Sequence, residues 1–289
     1  MTWLIVGGNG QLGKALSGVL AGRKIDFRAL GSEDLDIRSG PLCSERIRAM
    51  SPSVIVNAAA WTDVDGAESD VDGAYAVNAE GALNLSMAAK AVGAVFAHVS
   101  TDYVFAGVGT TPWKEDDVRA PVSVYGKSKA AGEVAVLAHY PEGSYVFRTA
   151  WLYSQWGKNF AKTMTRLALS GEGEVRVVDD QVGQPTSALD LANQIVDAVL
   201  DKSPYGIYHA TNSGQASWYE FACEIFKLCK SDVGRIVPVT SNEFKRAAIR
   251  PGYSVLGHER WVGTGIPPMR DWKVGLLCEM PEIILDIDG

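Results

Sequence analysis

A tyrosine and a lysine four residues apart, Tyr125 and Lys129 in the run Tyr125-Gly126-Lys127-Ser128-Lys129, form the pattern in this chain best suited to moving a proton. Four residues is just over one helical turn, so the phenol and the ammonium project from one helix face. A phenol titrates near ~10, and an adjacent cation favours the phenolate, which would make Tyr125 a better proton-transfer group near neutrality. A second polar cluster, Ser100-Thr101-Asp102-Tyr103-Val104-Phe105, interrupts an apolar run with two hydroxyls and a carboxylate. It reads either as a polar turn in which Asp102 caps a helix, or as a site in which Thr101 donates to a carbonyl oxygen that Tyr125 protonates.

Such groups need a scaffold, and the N-terminal segment supplies its first part. Trp3-Leu4-Ile5-Val6 is an apolar run of buried-strand type, followed by Gly7-Gly8-Asn9-Gly10-Gln11-Leu12-Gly13 and then by Leu12, Leu16, Val19 and Leu20 at helical spacing. A strand, a glycine turn and a helix N-terminus make a phosphate site, because backbone N–H groups and the helix dipole point at the anion. The glycines fit two patterns: Gly8, Gly10 and Gly13 as G-x-G-x-x-G, or Gly7, Gly10 and Gly13 as G-x-x-G-x-x-G.

Strand-like and helix-like segments then alternate, which implies a Rossmann-like, doubly wound parallel α/β sheet. Strands are expected over 26–30, 54–57, 94–100 and 144–149, with a helix ending at Met50 and further helices over 72–92 and 123–140. The glycine loop, Asn57, Thr101 and the Tyr125 helix all fall at strand C-termini, the edge where open α/β sheets bind ligands. Beyond it, helices over 159–169, 187–200 and 218–228 and a strand over 174–178 are expected, with Pro- and Gly-punctuated segments after Gly234. The expected division is a dinucleotide-binding domain over 1–150 and a smaller substrate-covering lobe over 151–289, some of whose segments return to the first domain.

Composition narrows the partners. With 289 residues, 47% of them hydrophobic, the chain can bury a large core. A net charge of −7 argues against nucleic acid or an anionic membrane surface. No run reaches the ~18 apolar residues a span needs. Cys43, Cys223, Cys229 and Cys278 show neither Cys-x-x-Cys spacing nor a disulfide framework, and the four histidines have no ligand spacing. The expectation is a cytoplasmic protein without a metal.

Gly7-x-x-Gly10-x-x-Gly13, Asn57-Ala58-Ala59-Ala60, Ser100-Thr101-Asp102-Tyr103-Val104-Phe105 and Tyr125-x-x-x-Lys129 together resemble the extended short-chain dehydrogenase/reductase family. Asp180-Gln181-Val182-Gly183-Gln184-Pro185-Thr186 and Arg250-Pro251-Gly252-Tyr253-Ser254 narrow the resemblance to its reductases of nucleotide-linked 4-keto-6-deoxysugars, over about residues 3 to 273. The resemblance implies NADPH-dependent reduction of the C4 keto group of dTDP-4-dehydro-β-L-rhamnose to dTDP-L-rhamnose, downstream of a 3,5-epimerase. In that reading Tyr125 is the general acid, Lys129 holds the nicotinamide ribose and lowers the Tyr125 pKa, and Thr101 orients the carbonyl. Gly7, Gly10, Gln11, Leu12, Asn57, Ala58, Ala59, Ala60 and Thr62 line the cofactor, with Asp36 and Ile37 beside the adenine. Asp102, Trp151, Asn159 and Arg250 meet the substrate. Alternatives within the fold are a 4-ketoreductase for another nucleotide-linked 6-deoxysugar and a non-catalytic NADP-binding regulatory subunit. Some relatives form dimers bridged by metal through carboxylates on the first helix; Lys14 and Ala15 occupy that helix here, so no bridging metal is expected.

Cofactor choice has its own signal. NAD selectivity uses an acid just past the second strand, on the ribose 2′-hydroxyl. The expected tip reads Ala29-Leu30-Gly31-Ser32, with Glu33 and Asp34 slightly later and Arg28 available to a 2′-phosphate. The expectation is NADPH, with NADH tolerated.

Overall fold

Short, nearly all-apolar runs bury both faces only in the middle of a parallel sheet, where helical crossovers cover each side. The computed structural model, which describes residues 1–288, has that arrangement. Six strands, β1 (Trp3–Val6), β2 (Phe27–Leu30), β3 (Val54–Asn57), β4 (Val95–Thr101), β5 (Ser144–Thr149) and β6 (Gly206–His209), lie in the order β2-β1-β3-β4-β5-β6. All five pairings are parallel. The order reverses between β1 and β3, and that switch point opens a crevice at the carboxyl ends of the strands. Val6 stands opposite both Leu30 and Asn57 there, and Thr101 opposite Thr149.

The helices are α1 (Gln11–Gly22), α2 (Gly40–Met50), α3 (Gly81–Val92), α4 (Val124–His139), α5 (Phe160–Ser170), α6 (Ala188–Leu200), α7 (Trp218–Leu228) and α8 (Trp272–Asp288). Leu12, Leu16 and Leu20 of α1 pack with Leu191, Ile195 and Val199 of α6 on one face of the sheet. Ile47 of α2, Leu85 of α3 and Val136 of α4 cover the other. A separate core joins α5, α7 and α8 with the parallel pair Val175–Val178 and Ile236–Val239. Chain beyond residue 150 therefore serves both cores, α6 and β6 building the sheet domain.

Most of these helices start where a short polar side chain can accept a first-turn N–H. Ser39, Ser123, Asn159 and Ser187 cap α2, α4, α5 and α6, and Ser217 forms a capping box with Glu220 at α7. Helix α1 differs: its N-cap is Gly10, with no side-chain cap and no acid in the first turn.

The helix expected over 72–92 is present: Val71–Tyr75, a π-helical turn Ala76–Glu80 and α3 follow one another without a break, preceded by a short helix Val64–Ser69. Asp63 and Asp70 start Val64–Ser69 and Val71–Tyr75 by accepting from Gly66 N and Gly73 N. One expectation needs correction: the segment after Gly234 ends in the 17-residue helix α8. Its buried face, Trp272, Leu276, Met280 and Ile283, has helical spacing, while Pro281 lies on the exposed side and obscures the pattern. Leu276→Ala should cost ~2–5 kcal/mol, the usual cost of a truncated core leucine. Urea unfolding would detect it; a loss below ~1 kcal/mol would mean α8 packs loosely on the second core.

Candidate active site

The proton-transfer residues meet at the carboxyl ends of β4 and β5. Strand β4 ends at Thr101, whose Oγ1 donates to Asp102 Oδ1 (2.8 Å) and accepts from Tyr103 N (3.2 Å). Asp102 and Thr101 are buried, and Asp102 Oδ2 has no hydrogen-bond partner. Burial pushes the Asp102 carboxyl up to about 6, against weaker lowering by Ser254 and Thr101. Tyr125, one residue into α4, sets its ring edge-on to Tyr103 at 5.5 Å. The start of α4 is held by Ser123 Oγ, which accepts from Gly126 N (3.1 Å), and by Glu68 Oε1, which accepts from Val124 N (2.8 Å).

The electrostatics depart from expectation. Burial pushes the Tyr125 phenol up to about 12; Thr101 opposes this and the Asp102 charge adds to it. Lys129 does not lower it, because its ammonium is turned to the carbonyl of Val99 (2.6 Å). Lys129 is itself buried and brought down to about 8, with the Glu133 carboxylate partly restoring it. Tyr125 thus keeps its proton throughout the neutral range, the state required of an acid rather than a base.

Glu133 lies one turn beyond Lys129 and is fully buried. It accepts from Arg148 Nε (2.9 Å) and Nη2 (2.8 Å) and from Arg119 Nε (2.6 Å). Arg148, near the end of β5 and also buried, donates through Nη1 to the Glu115 carbonyl (3.0 Å) and meets His209 Nε2 of β6 (3.3 Å).

The crevice at the switch point holds the remaining first-domain candidates. Gly7 has φ +85°, and a Cβ there would lie 2.6 Å from the backbone nitrogen of Ala59. Only glycine fits that approach. Asn57 Oδ1 accepts from Ala59 N (3.1 Å), and its Nδ2 meets buried His98 Nδ1 (3.1 Å), which shapes the Ala58–Ala60 turn. Thr62 is exposed. Leu12 and Ile37 are core side chains, so only their backbones can face a ligand. Asp36 is chelated by Arg38 through Nε and Nη2 (both 2.8 Å). The uncapped α1 start leaves first-turn N–H groups directed at this crevice, which suits a diphosphate.

Gln11 and Asn159 are engaged with each other. Gln11 Oε1 accepts from Asn159 Nδ2 (2.9 Å) and Ser154 Oγ (3.0 Å). Asn159 Nδ2 also donates to the Ser154 carbonyl (2.8 Å), and its Oδ1 caps α5. Its amide is therefore saturated by a contact between lobes, contrary to an open substrate donor. Trp151 has φ +45° and stacks on Trp218 with centroids 3.5 Å apart and planes 8° apart. Arg250 pairs with Asp65 of the first domain at 2.8 Å, while its Nη1 is buried without a partner.

The chain matches, over residues 1–281, the family described as RmlD substrate binding domain. It belongs to that family. A protein from Streptomyces griseus named dTDP-4-dehydrorhamnose reductase is 45% identical over 285 residues, covering 97% of this chain and 93% of that one. A Streptomyces antibioticus protein named probable dTDP-4,6-dihydroxy-2-methyloxan-3-one 4-ketoreductase is 44% identical, with 98% and 96% covered. The crystal structure of dTDP-4-dehydrorhamnose reductase from Bacillus anthracis in complex with NADP superposes with a TM-score of 0.93 at 38% identity, covering 97% of this chain and 99% of that one.

Sequence reasoning missed several supports of this RmlD-type site. Asn78, in the π-helical turn, accepts from Trp61 N (2.9 Å) and donates to Ser128 Oγ (3.0 Å), tying the loop after β3 to α4. A polar residue inside an alanine-rich helical pattern was its signal. Glu133 was legible as the next residue on the Tyr125–Lys129 face. Trp218 had no signal beyond its type. Glu133→Ala would leave Arg148 as a buried charge lacking its counter-ion, so stability should fall by ~3–5 kcal/mol. A denaturant midpoint close to that of the parent chain would show the pair to be dispensable.

Proposed function

We propose that this chain is an NADPH-dependent reductase that converts dTDP-4-dehydro-β-L-rhamnose to dTDP-L-rhamnose. The observation that carries the reading is the convergence of a protonated Tyr125 with Thr101 and Asp102 beside Lys129, next to an uncapped α1 N-terminus. The name of the S. griseus relative, 45% identical over nearly the whole chain, supports it, as does the NADP in the B. anthracis homologue.

The nicotinamide nucleotide supplies the hydride for C4. The backbone of Gly7, Gly10, Gln11 and Leu12 would hold its diphosphate, Asn57 to Ala60 and Thr62 would flank it, and Asp36 and Ile37 would border the adenine. Tyr125 gives its proton to the C4 oxygen. Thr101 positions that oxygen, its hydroxyl turning from Asp102 to the substrate by rotation about Cβ–Oγ1. Lys129 would exchange the Val99 carbonyl for the ribose hydroxyls. In the substrate-covering lobe, taken as 151–289 against a dinucleotide-binding domain of 1–150, the Trp151–Trp218 platform fits an apolar sugar face and the free Nη1 of Arg250 fits an anionic oxygen. The proposed setting is the cytoplasm, consistent with four unpaired thiols and with no described helix long and apolar enough to cross a membrane. A 3,5-epimerase would supply the substrate.

A coupled assay tests this. NADPH oxidation with dTDP-4-dehydro-6-deoxy-D-glucose should be slow until a 3,5-epimerase is added, and NMR should then identify dTDP-L-rhamnose. Tyr125→Phe should lower turnover by roughly 10² to 10⁴ while retaining NADPH binding. Rapid oxidation without the epimerase, or the other C4 configuration, would favour the second reading, a ketoreductase for a different deoxysugar, which the S. antibioticus relative at nearly equal identity keeps in play.

The pH dependence follows from Lys129, whose pKa lies below its ordinary value at about 8. Its ammonium is present at neutral pH and is lost as pH rises through that value. His98 from β4 and Glu133 from α4 are the titratable groups coupled to it, and burial with the Lys129 charge keeps His98 neutral. NADPH affinity should therefore fall above about pH 8, and in Lys129→Met it should be weaker but flat from pH ~7 to ~9.5. An alkaline limb surviving in that variant would remove Lys129 as its source.

A further inference from the structure

Tyr125 is the second residue of α4, so the place of its phenol depends on how that helix starts. A helix start leaves its first backbone N–H groups without partners inside the helix, and a negative charge there is favoured by the dipole. Ser123 takes the N–H of Gly126, but α4 carries no acid of its own in the first turn. The carboxylate comes from elsewhere in the chain. Glu68 Oε1 accepts from Val124 N at 2.8 Å, 56 residues away in sequence and on the peptide next to Tyr125. The fit around this start is close: a Cβ at Gly126 would fall 2.2 Å from the carbonyl oxygen of Tyr103.

Glu68 lies on the short helix Val64–Ser69, and Asp65 stands three residues earlier on the same face. Asp65 reaches the other lobe. Its Oδ1 accepts from Ala248 N (3.0 Å) and its Oδ2 from Arg250 Nη2 (2.8 Å), while Arg250 Nη1 is buried without a partner. Beyond Arg250 the same segment is pinned again, where Tyr253 N donates to the Gly107 carbonyl (2.9 Å) and the Gly252 carbonyl accepts from Val182 N (2.9 Å). The short helix is itself held firmly. Asp63 caps it, Ala67 is fully buried, and Trp61 just before it is bound by Asn78, which also donates to Ser128 of α4. Both charges of the ion pair are felt near the proton donor. Burial and the Asp102 charge push the Tyr103 phenol up, Arg250 opposes them, and Tyr125 and Asp65 add to them. Six residues thus touch the helix of the proton donor with one carboxylate and the substrate-covering lobe with another.

We propose that the Val64–Ser69 helix is the positioning element that ties substrate capture to proton delivery: Glu68 sets the start of α4, and with it the Tyr125 phenol, while Asp65 holds Arg250 and its chain segment in place. The inference rests on the reductase reading and deepens it. Neither carboxylate touches the reacting atoms. Glu68 acts through a backbone N–H, so reach matters and charge matters less; Asp65 acts through a guanidinium, so its charge is required.

Steady-state kinetics of the full chain with a dTDP-4-keto-sugar, and calorimetric titration with dTDP at saturating NADPH, test this. Glu68→Gln keeps an oxygen at the same reach and should retain turnover within about threefold. Glu68→Asp keeps the charge but withdraws the oxygen from Val124 N, so kcat should fall roughly tenfold to a hundredfold, with KM moving less and NADPH affinity retained. Asp65→Asn keeps the acceptor for Ala248 N and gives up the guanidinium. It should weaken dTDP binding roughly fivefold to tenfold and raise KM by more than it lowers kcat. Equal turnover in Glu68→Asp and Glu68→Gln would overturn the role of Glu68. Binding of dTDP that is unchanged or tighter in Asp65→Asn would overturn that of Asp65, and either result leaves the reductase reading intact. A parent chain that oxidised NADPH with no dTDP-4-keto-sugar would overturn that reading and this one together.

Discussion

Glu133 and Arg148 form the contact on which the rest of the site depends. Each is almost wholly buried, and two charges taken from water persist only when their hydrogen-bonding capacity is filled. Here the carboxylate takes three N–H donors and the guanidinium reaches a carboxylate, a carbonyl and an imidazole. That geometry is bidentate and tolerates little movement. It locks α4 to β5 and, through His209, to β6. Lys129 and Tyr125 sit one and two turns before Glu133 on the same helix, so their position over the strand ends follows from the lock.

The same burial that demands the pair also sets the chemistry. A phenol raised to about 12 and a lysine lowered to about 8 are both responses to a site with little water. The result is a protonated tyrosine beside a lysine whose charge is only just retained at neutral pH. Asp102 is raised to about 6 and has one oxygen without a partner, next to the hydroxyl that would orient the substrate. Unsatisfied groups of this sort are costly in a plain core and reasonable where a ligand completes them.

The two cores communicate across a few polar contacts. Gln11 at the start of α1 binds Ser154 and Asn159, and Asp65 binds Arg250. The first contact places the second lobe against the glycine loop, and Asp65 also accepts from Ala248 N, fixing the chain around Arg250 to the first domain. Trp151 keeps a left-handed backbone that its stack on Trp218 helps to hold. Arg250 is thus positioned by a neighbour on the first domain, and Trp151 by one within its own lobe.

What the sequence alone determined was local. Apolar runs between glycines specified the parallel strands, and Ser123, Asn159, Ser187 and Ser217 lay at or beside the expected helix starts, because caps and periodicity act over a few residues. The Tyr125–Lys129 spacing and the Thr101 cluster gave the chemistry for the same reason. Helix α8 was also written in its spacing, yet one proline masked it. Tertiary structure decided the rest: that Glu68 meets Val124 N while Asp65 meets Arg250, that Asn159 is consumed by Gln11, that Lys129 faces Val99 instead of acidifying Tyr125, and that Glu133 finds Arg148. Each of these depends on a partner distant in sequence or on how much water a group loses. Side-chain direction and desolvation are properties of the packed chain, and no local pattern encodes them.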